Sequence, residues 1–144
     1  NPEEYRDNKE LEKQIKKLNL SDRVHIVNNV SNQDLPAVYQ GASLCIYLSF
    51  FEGFGIPILE GIASNIPVIA AKGSCLEEAG GDACAYCEPF DESELAKLIT
   101  KILSDEQMRN TMIAKGTQHI EKFKPEVSVA RLEKCYENLL KQRR

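Results

Sequence analysis

Apolar positions recur along this chain in two rhythms, and the changes from one to the other mark its elements. Pro2, Glu3 and Glu4 open a helical stretch with proline near the first turn and acids behind it, and Leu11, Ile15 and Leu18 continue it at helical spacing until Asn19, Ser21 and Asp22 stop it. Val24–Val27 reads as a short strand, and Asp34–Tyr39 as a short helix closed by Gly41. Ser43–Leu48 is a continuous apolar run, the pattern of a strand covered on both faces. A glycine-bearing loop follows from Ser49 to Ile56; Pro57 then takes the first helical position of a helix reaching about Ser64, with Asn65 ending it. Pro67–Ala70 is a second buried strand, Cys75–Ala79 a short helix and Ala83–Cys87 a third strand of the same kind. From Asp91 the chain is helical: Ser93–Leu103, then Asp105–Phe123 broken near Gly116, then Pro125 to about Leu140. Strands alternating with helices predict an α/β domain with a parallel sheet.

Composition narrows the class. The 144 residues suit one domain, and 42% apolar content is too high for a disordered chain. With 18 basic against 22 acidic side chains, a net −4, nucleic acid is not the expected partner. Apolar runs fall far short of the ~20 residues of a membrane span, and no secretory leader is legible. The five cysteines (45, 75, 84, 87 and 135) are an odd set, read as reduced small hydrophobes of a cytoplasmic protein. Cys84 and Cys87 lie three apart on a strand and so face opposite ways, and no metal site is expected. His25 and His119 read as structural or exposed, and the Lys141–Arg144 tail as a solvated end able to touch an anionic membrane weakly.

Ligands of parallel sheets bind at the carboxyl ends of strands, which directs attention to Ser49–Glu60. Gly53 and Gly55 let backbone approach a ligand, and the open N–H groups at the start of the Pro57 helix form an anion site suited to phosphate. Glu60, expected in the first helical turn, has the forked acceptor geometry that suits a vicinal diol, and Glu52 at the strand end can reach a second set of hydroxyls. No lysine or arginine occurs between Leu44 and Pro67 to meet the charge of a diphosphate; the nearest downstream cation is Lys72, which does not suffice alone. Ser74 is a minor further candidate.

The segment Glu52-Gly-Phe-Gly-Ile-Pro-Ile-Leu-Glu60 resembles the Glu–seven residues–Glu hallmark of the group 1, or family four, retaining glycosyltransferases. The likeness continues in residues 24–31, in Leu35–Ala42, in Asn65–Ala71, in Glu77-Glu78, in Gly81-Asp82-Ala83 and in Glu88-Pro89 before Glu94-Leu95, covering roughly residues 10–140. Asn28, Glu77 and Pro125 depart from the usual pattern. The resemblance implies the Rossmann-like, donor-binding C-terminal half of a GT-B fold across residues 1–144, lacking that domain's first two strands and the N-terminal acceptor domain. It implies that Glu60 holds the ribose of a UDP- or GDP-linked sugar and that Glu52 orients the sugar as the catalytic position. Gly53, Phe54, Gly55 and Ile56 would contact sugar and phosphate, and backbone near Val30 would meet the base. The reaction would be metal-independent hexose transfer with retention, without a cofactor, in surface polysaccharide or lipopolysaccharide synthesis at the inner face of the membrane. The family's cationic diphosphate clamp lies on the missing part, so this chain alone is expected to be inactive.

An alternative from another class stays open: a non-catalytic α/β module binding a nucleotide or a partner chain. A dinucleotide oxidoreductase is disfavoured, because Gly53-Phe-Gly55 is not followed by the third glycine of that fingerprint. Without the two upstream strands, residues 24–27 and 43–48 must pair directly, leave a gap, or expose an edge through which the chain oligomerises.

Overall fold

Val68–Ala71 (β2) is buried along its whole length, and the larger of two compact units is arranged around it. The computed structural model describes residues 4–142. They divide into two compact units, one ending at Asn32 and one beginning at Gln33. The first unit holds α1 (Glu4–Lys17), closed by a turn with Asn19 at φ 55°. The second holds α2 (Leu35–Gln40), β1 (Cys45–Tyr47), α3 (Ile56–Ala63), β2, α4 (Cys75–Gly80), β3 (Cys84–Cys87), α5 (Glu92–Ser104), α6 (Glu106–Ile120) and α7 (Pro125–Gln142). The described strands form one parallel sheet of order β1-β2-β3, with Cys45, Val68 and Cys84 side by side.

Strand alternation sends β2 into two cores. Val68 and Ala70 cluster with Ile58 and Ile62 of α3, Leu76 of α4 and Ala83. Ile69 clusters with Cys87, Ile102 of α5 and Met112 of α6. Cys84 packs beside the first core while Cys87 lies inside the second, so the pair does face opposite ways. Each fully buried side chain such as Ile58 or Ile69 stabilises the fold by about 1.5–3 kcal/mol. Local signals agree with this packing. The Ser74 Oγ accepts from Leu76 N–H at 3.3 Å, Asp91 from Glu94 N–H at 2.8 Å and Asp105 from Met108 N–H at 2.8 Å, so three helices begin on side-chain caps.

Four expectations need correction. Residues 24–27 form no strand: the Val24 N–H turns back to Leu20 O at 3.0 Å, and Val27 is 67% exposed. An apolar run becomes a strand only where a ladder partner satisfies its backbone, and none is supplied there. The run 43–48 yields only the three-residue β1, and it is not covered on both faces, since Ile46 is 43% exposed at the sheet edge. Helix α3 starts at Ile56, which puts Pro57 second and Glu60 in the second turn rather than the first. Helix α6 runs unbroken through Gly116, because the missing side chain serves packing: a Cβ there would lie 3.0 Å from Ile62. The last helix, α7, starts at Pro125 as expected; it has no buried residue, and its apolar stripe of Val129, Leu132, Tyr136 and Leu139 is uncovered.

Candidate functional site

The chain leaves β1 at the carboxyl edge of the sheet, turns through Leu48–Gly55 and enters α3. Gly55 caps that helix at φ 104°, a conformation that L side chains rarely adopt, and an added Cβ would stand 2.8 Å from Leu76 and 3.3 Å from Ala79. The turn is therefore pressed against α4, and it is also tied there by the Cys75 thiol, which donates to Glu52 O at 3.1 Å. An added Cβ at Gly53, by contrast, would meet nothing within 4 Å, so this part of the loop lies open to a ligand. The N–H groups of Gly53, Phe54, Gly55 and Ile56 have no acceptor among the described residues. They supply the free donors and positive dipole end of a helix start.

Both expected carboxylates stand on the side of β1 that faces α3. Cys45 and Tyr47, two apart on the strand, point to that side, and a Cβ on Gly61 of α3 would lie 3.3 Å from the Cys45 Cβ. The Tyr47 hydroxyl donates to Glu52 Oε1. Glu60 sits beside Cys45, whose thiol is pushed up by burial and then by the Glu60 charge. The Tyr39 hydroxyl, arriving from α2, donates to Glu60 Oε2 at 3.1 Å. Hydrogen bonds from Tyr47 and then Ser49 hold the Glu52 carboxyl below the usual carboxylate range. Burial, and then the Glu60 carboxylate that it serves, push the Tyr39 phenol well above its ordinary value, so it stays a neutral donor.

Aromatic contacts frame the loop. Phe54 meets Phe123 edge-to-face at 5.8 Å, Phe123 lies 5.3 Å from His119, and His119 Nε2 is 2.8 Å from Ala79 O. His119 is structural, as expected. Phe50 and Phe90, from the turns after β1 and β3, pair at 5.7 Å and are both highly exposed. Ser74 is occupied as the cap of α4. Val30 belongs to the first unit and is half-buried there.

The loops at the carboxyl edge carry Glu52, Glu88 and Asp91 against one cation, Lys72. Its ammonium lies 3.0 Å from Glu94 and 3.8 Å from Glu88. A lysine already paired with two carboxylates offers little to a diphosphate, in keeping with the charge pattern of the sequence. Among the described residues no His, Cys, Asp and Glu cluster could hold a metal ion, and no helix is long and apolar enough to cross a membrane.

Sequence reading missed the two tyrosines as parts of the site. Tyr39 lies in a segment whose pattern predicts only a helix, and Tyr47 lies in an apolar run; a hydroxyl two residues after Cys45, on the same strand face, is the available signal.

Comparison with known proteins places this arrangement. The O-antigen chain mannosyltransferase B of Escherichia coli is 33% identical over 100 residues, 69% of this chain and 26% of that protein. The sucrose-phosphate synthase of Thermosynechococcus elongatus superposes with a TM-score of 0.81 at 26% identity, covering 94% of this chain and 35% of that one. The Anabaena protein Alr3699/HepE, solved in complex with UDP-glucose, superposes at 0.72 with 25% identity over 87% of this chain and 36% of its own. The chain thus spans about a quarter of the length of the curated relatives it matches. The fold is the Rossmann-like C-terminal half of the GT-B architecture. The profile of the family described as "Glycosyl transferases group 1" matches residues 4–119, and the chain belongs to that family.

Proposed function

We propose that this chain is the donor-binding part of a retaining hexosyltransferase that takes a UDP- or GDP-linked sugar. The observation that carries the reading is the placement of Glu52 and Glu60 on one side of β1, with the unpaired N–H groups of Gly53–Ile56 on the loop between them. Glu60 accepts from the two ribose hydroxyls, Glu52 from hydroxyls of the sugar, and the amides meet sugar and phosphate. Phe54 and Ile56 lie alongside the donor. Protein groups position the donor and stabilise the departing diphosphate. Cations beyond Lys72 complete the diphosphate site, so the chain alone binds donor weakly and does not turn it over. The similarity to an O-antigen mannosyltransferase supports assembly of a surface polysaccharide, and the UDP-glucose complex of the Anabaena protein supports a nucleotide-sugar donor.

Calorimetric titration of UDP, UDP-glucose, GDP and GDP-mannose into the full-length protein and its Glu60→Gln variant tests this reading. Loss of about 10-fold or more in affinity is expected for Glu60→Gln, the cost of one charge-assisted hydrogen bond; equal affinities would refute the role of Glu60. The capture of Lys72 by Glu94 and Glu88 favours a second reading, a non-catalytic nucleotide-binding or interaction module. A full-length protein that binds donor yet transfers no sugar to any acceptor would decide for it.

A further inference from the structure

We infer that Tyr39 and Tyr47 are a matched pair of positioning residues, each holding one carboxylate of the donor site from a different element: Tyr39 on α2 holds Glu60, and Tyr47 on β1 holds Glu52. The inference rests on the donor reading above and extends it to side chains that do not themselves touch the ligand.

The geometry is parallel at the two acids. At Glu60 the phenol takes Oε2 at 3.1 Å, and Oε1 has no partner among the described residues. At Glu52 the phenol takes Oε1. A carboxylate has about four acceptor positions, so the bond from Tyr39 at Glu60, and those from Tyr47 and Ser49 at Glu52, leave capacity for two sugar hydroxyls at each. A glutamate has three rotatable side-chain bonds, and ordering such a chain on binding weakens affinity. A phenol anchored in the fold removes that cost beforehand. It does so without the charge of lysine or arginine, whose salt bridge would compete with neutral hydroxyls for the same oxygens. Both phenols are held in the protonated, donating state, Tyr39 by burial first and Tyr47 by its bond to Glu52 first.

The two tyrosines sit under different subsites, so their removal should separate the parts of the ligand. In the full-length protein, Tyr39→Phe should weaken UDP and UDP-glucose alike, by about 3- to 10-fold. Tyr47→Phe should weaken UDP-glucose by a similar factor and leave UDP unchanged. The same pattern is read with GDP and GDP-mannose if guanine proves the base. A pH profile supplies a second readout. Tyr47 lowers the Glu52 carboxyl, so in Tyr47→Phe the acidic limb of UDP-glucose binding should move to higher pH. Thermal unfolding of each variant separates these effects from a loss of folding. In addition, Tyr39→Phe should add nothing in a Glu60→Gln background, because the group that it positions is already altered.

Unchanged affinities in both tyrosine variants, with Glu60→Gln and Glu52→Gln still harmful, would overturn the positioning role and leave the donor reading standing. Equal weakening of UDP and UDP-glucose by both variants would also overturn it, as a general structural effect. No binding of either nucleotide to the unaltered protein would overturn the donor reading and this inference with it.

Discussion

β1 and β2 come from similar stretches of sequence, Ser43–Leu48 and Pro67–Ala71, yet they have opposite surroundings. Ile69 of β2 is 0% exposed between α5 and α6, while Ile46 of β1 is 43% exposed at the edge. An apolar run encodes readiness to be covered; what covers it is decided elsewhere in the chain. The loops that follow the two strands differ in the same way. After β1, Gly55 is wedged against Leu76 and Ala79, whereas Gly73, after β2, is also left-handed at φ 80° but has nothing within 4 Å of an added Cβ. The central strand supplies the fixed frame, and the edge strand leads into the loop proposed to bind the donor.

Substitution on the two strands should break the comparison most sharply. Ile69→Ala should cost about 2–5 kcal/mol through the cavity left in a closed core, and Ile46→Ala less than about 1 kcal/mol; urea unfolding of both variants measures the difference. Next come the glycines. Gly55→Ala combines left-handed strain with the clash against Leu76 and should cost about 2–4 kcal/mol, while Gly73→Ala carries strain alone, about 1–2 kcal/mol. Equal losses would mean that the turn after β1 is not pressed against α4.

The smallest effect concerns acid. The Glu94 carboxyl is held low, first by the Glu88 N–H and then by Lys72. A carboxyl lowered by folding contributes stability above its unfolded value of about 4.3, and that contribution disappears as pH falls through the lower folded value. Glu94→Gln should therefore reduce stability at pH 7 slightly and flatten the decline below about pH 4, read as urea midpoints across pH.

Much of this was legible in the residues, for reasons that can be named. The order of elements from Asp34 onward followed from apolar periodicity and from the glycines and prolines that punctuate it; the side-chain caps at Ser74, Asp91 and Asp105 appear only in the structure. The Glu52–Glu60 segment was legible because glycines, proline and acids occur together between a strand and a helix. Three features escaped. The strand expected at 24–27 depends on a partner that local pattern does not report. Gly116 looked like a break because packing against Ile62 cannot be read from a helix-period pattern. Tyr39 lies 21 residues from Glu60, and their meeting is a product of how α2 seats on α3.

The central claim is that Glu60 grips the ribose of a bound nucleotide. It is tested most directly by altering ligand and protein together. Affinities of the ribonucleoside diphosphate that binds and of its 2′-deoxy counterpart are measured in the full-length protein and in Glu60→Gln. The account predicts that removing the 2′-hydroxyl costs about 10-fold in the unaltered protein and close to nothing in Glu60→Gln. The same penalty in both proteins would contradict it.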